Sequence, residues 1–173
     1  MSSTVPEGGE GTAAVGAILD PRSHVLVVKR AVREGDPWSG QWALPGGRWT
    51  LGDSDLLETL RREVLEETGI DITMLEPIGW LGPLSPMNRP GLKVHVLALL
   101  ARERPQVRLN YELSDFRWVR PSVMRRALVR ALTSFGEREV EAMVEEDVVI
   151  WGLTYRILDQ LYSSGFLRSL HTG

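Results

Sequence analysis

The sequence predicts a layered α/β domain, and three observations predict it. Runs of small and β-branched apolar residues sit near the start and the middle of the chain. An amphipathic helical pattern falls between them, and a second one closes the chain. Strands on either side of helices within 173 residues fit one domain of stacked layers.

The elements follow in order. The first residues, MSSTVPEGGE, are polar, with no basic or apolar stretch of a signal peptide, so residues 1–11 read as a disordered N-terminus of a cytoplasmic protein. A single domain is expected over 12–173. Ala13–Leu19 and His24–Val28 read as neighbouring strands joined by the turn Asp20-Pro21-Arg22-Ser23. A polar loop with Gly35, Pro37 and Gly40 leads to Leu44-Pro45-Gly46-Gly47. Leu56, Leu60 and Val64 then recur at helical spacing, with Asp53, Ser54 or Asp55 as N-cap and Gly69 as the left-handed stop. Further strands are expected at Ile70–Thr73, Ile78–Leu84, Leu92–Ala101 and Phe116–Val119, with Met87–Gly91 as a loop that could act as a lid. Pro121 is expected to open a helix. Trp151, Tyr155, Leu158 and Tyr162 mark a C-terminal amphipathic helix, stopped at Gly165, whose aromatics serve the core or a homodimer contact.

Composition narrows the chemistry. With no cysteine, disulfides, thiol nucleophiles and thiolate metal sites are excluded. Three scattered histidines do not form a metal cluster. A net charge of −3 gives no general attraction to nucleic acid or to an anionic membrane, and no apolar run is long enough to span one.

The informative stretch is Arg61-Arg62-Glu63-Val64-Leu65-Glu66-Glu67-Thr68-Gly69-Ile70. With Leu56 at the origin of a helical wheel, Glu67 falls at about 20° and Glu63 at about −20°, inside the apolar stripe, with Glu66 about 60° further round. Like charges at i, i+4 and i, i+3 each cost roughly 0.2–0.5 kcal/mol. Two of the three acids also sit at the helix end that disfavours anions, by about 0.3–1 kcal/mol. Arg62 alone does not compensate three carboxylates, whereas a hard divalent cation does. Gly46 and Gly47 precede this helix and allow the backbone to approach a ligand.

These residues resemble the signature of the Nudix hydrolases, G-x5-E-x7-R-E-U-x-E-E-x-G-U, with U a bulky aliphatic. Gly47 and Arg62-Glu63-Val64-x-Glu66-Glu67-x-Gly69-Ile70 match it. The first half departs: Asp53 stands for glutamate, and eight residues instead of seven separate it from Arg62. That departure, Gly35-Asp36-Pro37-Trp38-Ser39-Gly40 and Trp151-Gly152-Leu153-Thr154 look like the branch containing coenzyme A pyrophosphatases, although Lys29–Gln41 fits that branch's motif only in part.

The resemblance implies a Nudix fold, a mixed sheet between helices, and hydrolysis of a diphosphate in a nucleotide-derived small molecule with Mg²⁺ or Mn²⁺. Glu63, Glu66, Glu67 and the Gly46 carbonyl would hold the metal, and Arg62 would orient the glutamates. The proton acceptor would be a signature glutamate such as Glu63 or a loop acid such as Glu112. Asp53 is expected to act structurally. Gly47, Arg48, Trp49 and Trp38 are candidate substrate contacts, and Trp42 also flanks the loop. Arg117, Arg120, Arg125, Arg126 and Arg130 are read as a basic cluster on a solvated helix face. Coenzyme A or a dinucleotide-like compound is the favoured substrate. The alternatives are a triphosphate pyrophosphatase acting on oxidised nucleotides and a catalytically silent nucleotide-binding module.

Overall fold

The computed structural model describes residues 1–165 and Leu167. Its main sheet has seven strands: β1 (Thr12–Leu19), β2 (Val25–Arg30), β3 (Trp42–Ala43), β4 (Gly46–Arg48), β5 (Glu76–Leu84), β6 (Lys93–Leu100) and β7 (Leu113–Val119). The order is β3-β2-β1-β6-β5, with β4 also on β1 and β7 also on β2. β1 and β6 are parallel from Thr12↔Lys93 to Leu19↔Leu100, and the other pairs are antiparallel, so the sheet is mixed. A second sheet follows, in the order β10-β9-β8, from β8 (Arg125–Thr133), β9 (Gly136–Glu145) and β10 (Val148–Trp151).

Two helices cover the main sheet. α1 (Leu56–Thr68) lays Leu56, Leu60 and Val64 on Ala14, Ile18, Leu26, Val28, Leu97 and Leu99. α2 (Gly152–Ser163) lays Ile157, Leu158 and Leu161 against Ala17, Leu19, Val25, Val27 and Val96. Alternate residues of β1 thus serve the two cores, as the period of two requires. The expected α/β layering is present.

The helix limits follow their signals. The Asp55 side chain accepts the Glu58 N–H and caps α1, while Gly69, at φ 73°, sends its N–H to the Leu65 carbonyl. α2 starts one residue after Trp151, whose backbone is extended as its N-cap. No described helix is long and apolar enough to cross a membrane.

Three expectations fail, and a fourth resolves to one of its two alternatives. Residues 1–11 are tied down: Ser2 and Trp80 exchange backbone hydrogen bonds, and the Pro6 carbonyl accepts the Leu56 N–H. Ile70–Thr73 is no strand; Asp71 caps a short 3₁₀ turn over Ile72–Met74. No helix follows Pro121, because the chain there pairs as the β8–β9 hairpin. Tyr155 and Tyr162 pack against the core, so these aromatics have an intramolecular role.

Candidate active site

The site is built on the last two turns of α1, the β4 strand beside it and the loop before β7. Asp53 anchors it. Its carboxylate accepts Arg62 Nε at 3.0 Å and Nη2 at 2.8 Å, the Thr50 N–H at 3.0 Å, Thr50 Oγ1 at 3.3 Å and Thr59 Oγ1 at 2.9 Å. The Arg62 guanidinium beside it holds this carboxyl far below the usual carboxylate range. The two-point contact fixes the plane of the guanidinium. Its remaining nitrogen, Nη1, donates to Glu63 Oε1 at 2.7 Å and lies 4.0 Å from Glu66 Oε2. Arg62 thus links the Asp53 and Glu63 carboxylates.

Gly47 is required by Glu63. A Cβ at Gly47 would stand 2.7 Å from Glu63 Cγ and Oε2. Gly46, at φ 150°, is pressed against the Ala14 carbonyl, where a side chain would collide. Its N–H donates to the Glu67 carboxylate.

Glu67 is buried, and burial together with Glu63 and Glu112 pushes its carboxyl up to about 8. Glu63 is raised in the same direction by burial, with Glu66 and Glu112 adding and Arg62 opposing. The loop before β7 is locked to the end of α1: the Arg108 N–H donates to the Thr68 carbonyl and the Asn110 N–H to the Glu67 carbonyl. The Asn110 side chain then accepts the Glu112 N–H, and the Glu112 carbonyl accepts the Ala31 N–H. This brings Glu112 within the field of Glu63 and Glu67, although it lies far from them in sequence. Glu66 stands apart, its side chain 56% exposed. Among the described residues no three His, Asp or Glu side chains are arranged to hold a metal ion. The donor chemistry nevertheless suits one. Hard oxygens gather where their negative charges oppose each other, with Arg62 and the more distant Arg30 as the cations that act on them.

The other candidates divide. Trp38 is half-buried, with the guanidinium carbons of Arg48 and Arg89 each 6.0 Å from its ring centroid. Trp49 is a structural residue: its indole N–H donates to the Asp53 carbonyl at 3.0 Å and its ring packs on the α1 core. Trp42 is buried in the other core. The basic cluster does not exist as a unit. Arg117 pairs with Asp115 and Asp147, Arg126 with Asp159 and Arg130 with Glu137, on β-strands and not on a helix face. Sequence reasoning missed Arg30 and Arg89. Arg30, paired with Asp36, closes β2 and lowers Glu67 through its charge. Nothing near either residue in the chain signals its neighbours across the fold.

Known proteins resemble this chain in part of its sequence and in its fold. Over 65 residues the chain is 46% identical to an 8-oxo-dGDP phosphatase of Danio rerio, covering 35% of this chain and 19% of that protein. The chain spans less than a fifth of the length of the curated relatives it matches. A MutT protein from Methanosarcina mazei superposes with a TM-score of 0.51 at 26% identity, over 64% of this chain and 77% of that one. A bifunctional NMN adenylyltransferase/ADP ribose pyrophosphatase from Francisella tularensis gives a TM-score of 0.59 at 15% identity, over 94% and 42%. Residues 10–139, which include the whole glutamate helix and its glycine turn, match the NUDIX domain, and the chain belongs to that family.

Proposed function

We propose that the protein hydrolyses a phosphoanhydride bond in a nucleoside diphosphate derivative, with Mg²⁺ or Mn²⁺ held by Glu63, Glu66 and Glu67 and by the Gly46 carbonyl as a further oxygen. The observation that carries this reading is the buried Glu67 carboxylate beside a glycine turn, whose proton affinity is raised by burial and by both Glu63 and Glu112. When bound, the cation offsets the charge of the diphosphate and lowers the pKa of a coordinated water.

The protein's own residues do the rest. Asp53 fixes Arg62, and Arg62 fixes Glu63. Gly47 leaves the space that Glu63 fills. Glu112 takes the proton as the water oxygen bonds to phosphorus and the bridging P–O bond breaks, leaving the electron pair on the departing phosphate. Trp38, flanked by Arg48 and Arg89, offers a stacking face and two guanidiniums. Among the described residues neither arginine has a carboxylate partner, so both are available to the anionic end of a nucleotide.

The similarity to an 8-oxo-dGDP phosphatase supports an oxidised purine nucleoside diphosphate as substrate. A second reading, coenzyme A or a dinucleotide-like compound, is supported by the Gly35–Gly40 and Trp151–Thr154 segments. A panel of 8-oxo-dGDP, 8-oxo-dGTP, coenzyme A, ADP-ribose and a dinucleoside polyphosphate, assayed with Mg²⁺ and with Mn²⁺, separates these readings. The oxidised diphosphate should give the highest kcat/KM and release inorganic phosphate. Pyrophosphate release from the triphosphate would favour the pyrophosphatase reading, and no turnover of any compound would favour a binding module. Trp38→Ala should raise KM about tenfold while leaving kcat nearly unchanged, as loss of roughly 1.4 kcal/mol of uniform binding requires.

A further inference from the structure

We infer that β8 is the pairing edge of a homodimer, in which the hairpins of two copies join antiparallel about Val129 to make one sheet. β8 ends the second sheet, and among the described residues nothing pairs with its outer edge. A nine-residue free edge is an open template for another strand. Such edges are ordinarily blunted by uncompensated charge. Here two of the strand's three arginines are compensated: Arg130 lies opposite Glu139 and bridges to Glu137, and Arg126 bonds to Asp159 and Tyr155 of α2.

The same segment exposes apolar side chains to an unusual degree. Val123 and Leu128 are each 64% exposed, Leu132 78% and Phe135 62%. Symmetric pairing about Val129 overlaps all nine residues of the strand. It sets Leu128 against the partner's Arg130, Leu132 against the partner's Arg126, and Ala127 against the partner's Ala131. Both exposed leucines of the strand are engaged and no arginine faces an arginine. Moving the two-fold by one residue in either direction puts arginine against arginine, at Arg126 and Arg130 or at Arg130 and its own copy. Like charges directly opposite destabilise a pair of strands, so the charges select the register that the apolar residues also select. A second copy is therefore the occupant that the edge fits.

The absence of cysteine makes the register directly readable. Facing residues of an antiparallel pair have Cα atoms about 4.5–5.5 Å apart, within the range a disulfide spans. Val129→Cys should therefore give a disulfide-linked dimer under mild oxidation. Val32→Cys, an exposed site elsewhere, should not. Light scattering on the unmodified protein should show twice the monomer mass at micromolar concentration, and Leu128→Lys with Leu132→Lys should weaken the dimer at least about tenfold. Both leucines are exposed, so circular dichroism of the double variant should be unchanged. A monomer at every concentration overturns the inference. So does a dimer that survives the lysines, or one in which Val129→Cys links no better than Val32→Cys. None of these outcomes bears on hydrolysis.

Discussion

Asp53 and Glu67 are buried to nearly the same degree, 7% and 5% exposed, yet their carboxyls respond in opposite directions. Asp53 is surrounded by donors, two of them from one guanidinium, and stays ionised far into the acid range. Glu67 has the Gly46 N–H and faces two further carboxylates, and it holds its proton to about pH 8. Burial raises both carboxyls; the hydrogen bonds from Arg62 overcome it at Asp53, whereas at Glu67 the neighbouring carboxylates add to it. Asp53 is a finished structural contact. Glu67 is ringed by like charge that a bound cation would offset.

This contrast can be tested hardest at Glu67. Glu67→Gln keeps the shape and removes the charge, so kcat with Mg²⁺ should fall by about 10³ or more, a loss of roughly 4 kcal/mol of transition-state stabilisation, while the fold is kept. Initial rates within tenfold of the unmodified protein would separate Glu67 from the chemistry and sink the assignment.

Arg62→Met breaks the other half. It leaves Asp53 buried without its counter-charge, which costs about 3 kcal/mol and lowers Tm by roughly 6–12 °C in a chain of this size. Adding Asp53→Leu should restore part of that loss, because the orphaned charge is then gone. Thermal unfolding of the three proteins measures both statements. Equal Tm values for Arg62→Met and the unmodified protein would show that Asp53 does not depend on its partner.

A pH series sharpens the comparison without mutation. In the metal-free protein the folded Glu67 carboxyl keeps its proton to about pH 8, whereas the unfolded one releases it near 4.5. Between these values the folded state binds more protons, so stability is fully present below pH 4.5 and declines as pH rises towards 8. The loss should amount to a few kcal/mol at about 1.4 kcal/mol per unit of separation. Urea unfolding at pH 5 and pH 8 should show it, and Glu67→Gln should flatten it. Mg²⁺ should reverse it, since the ion replaces the proton. Asp53 acts the other way, its stabilisation being present above pH 3.8 and lost as pH falls below that. The smallest effect is expected for Asp53→Asn, about 1.5 kcal/mol, because the amide keeps part of the hydrogen bonding. Its stability should also vary less with pH in the acid range.

The glutamate helix was legible from the chain and the β8–β9 hairpin was not. In α1 every signal is local: Asp55 caps, Gly69 stops, Leu56, Leu60 and Val64 form one stripe, and the acids fall on it. After Pro121 the signals conflict. Met124, Leu128 and Leu132 recur every four residues, a spacing that fits a helical face and also a strand of period two. The pairing of β8 with β9 decides between them, and that pairing depends on residues further along the chain. The basic residues misread as a helix face share this cause.

The order of residues by itself determined the helix that carries Glu63, Glu66 and Glu67, the two-sided strand β1 and the family, because caps, stops and hydrophobic periods act over a few neighbouring positions. Only the tertiary structure decided that Glu112 joins these acids, that Trp49 braces the Asp53 loop, that Arg89 reaches Trp38 and that residues 1–11 lie along β5 and α1. All but the Trp49–Asp53 contact close a long loop in the chain. The free energy that holds them comes from packing, hydrogen bonding and charge at places where distant segments meet, and no local pattern records those places.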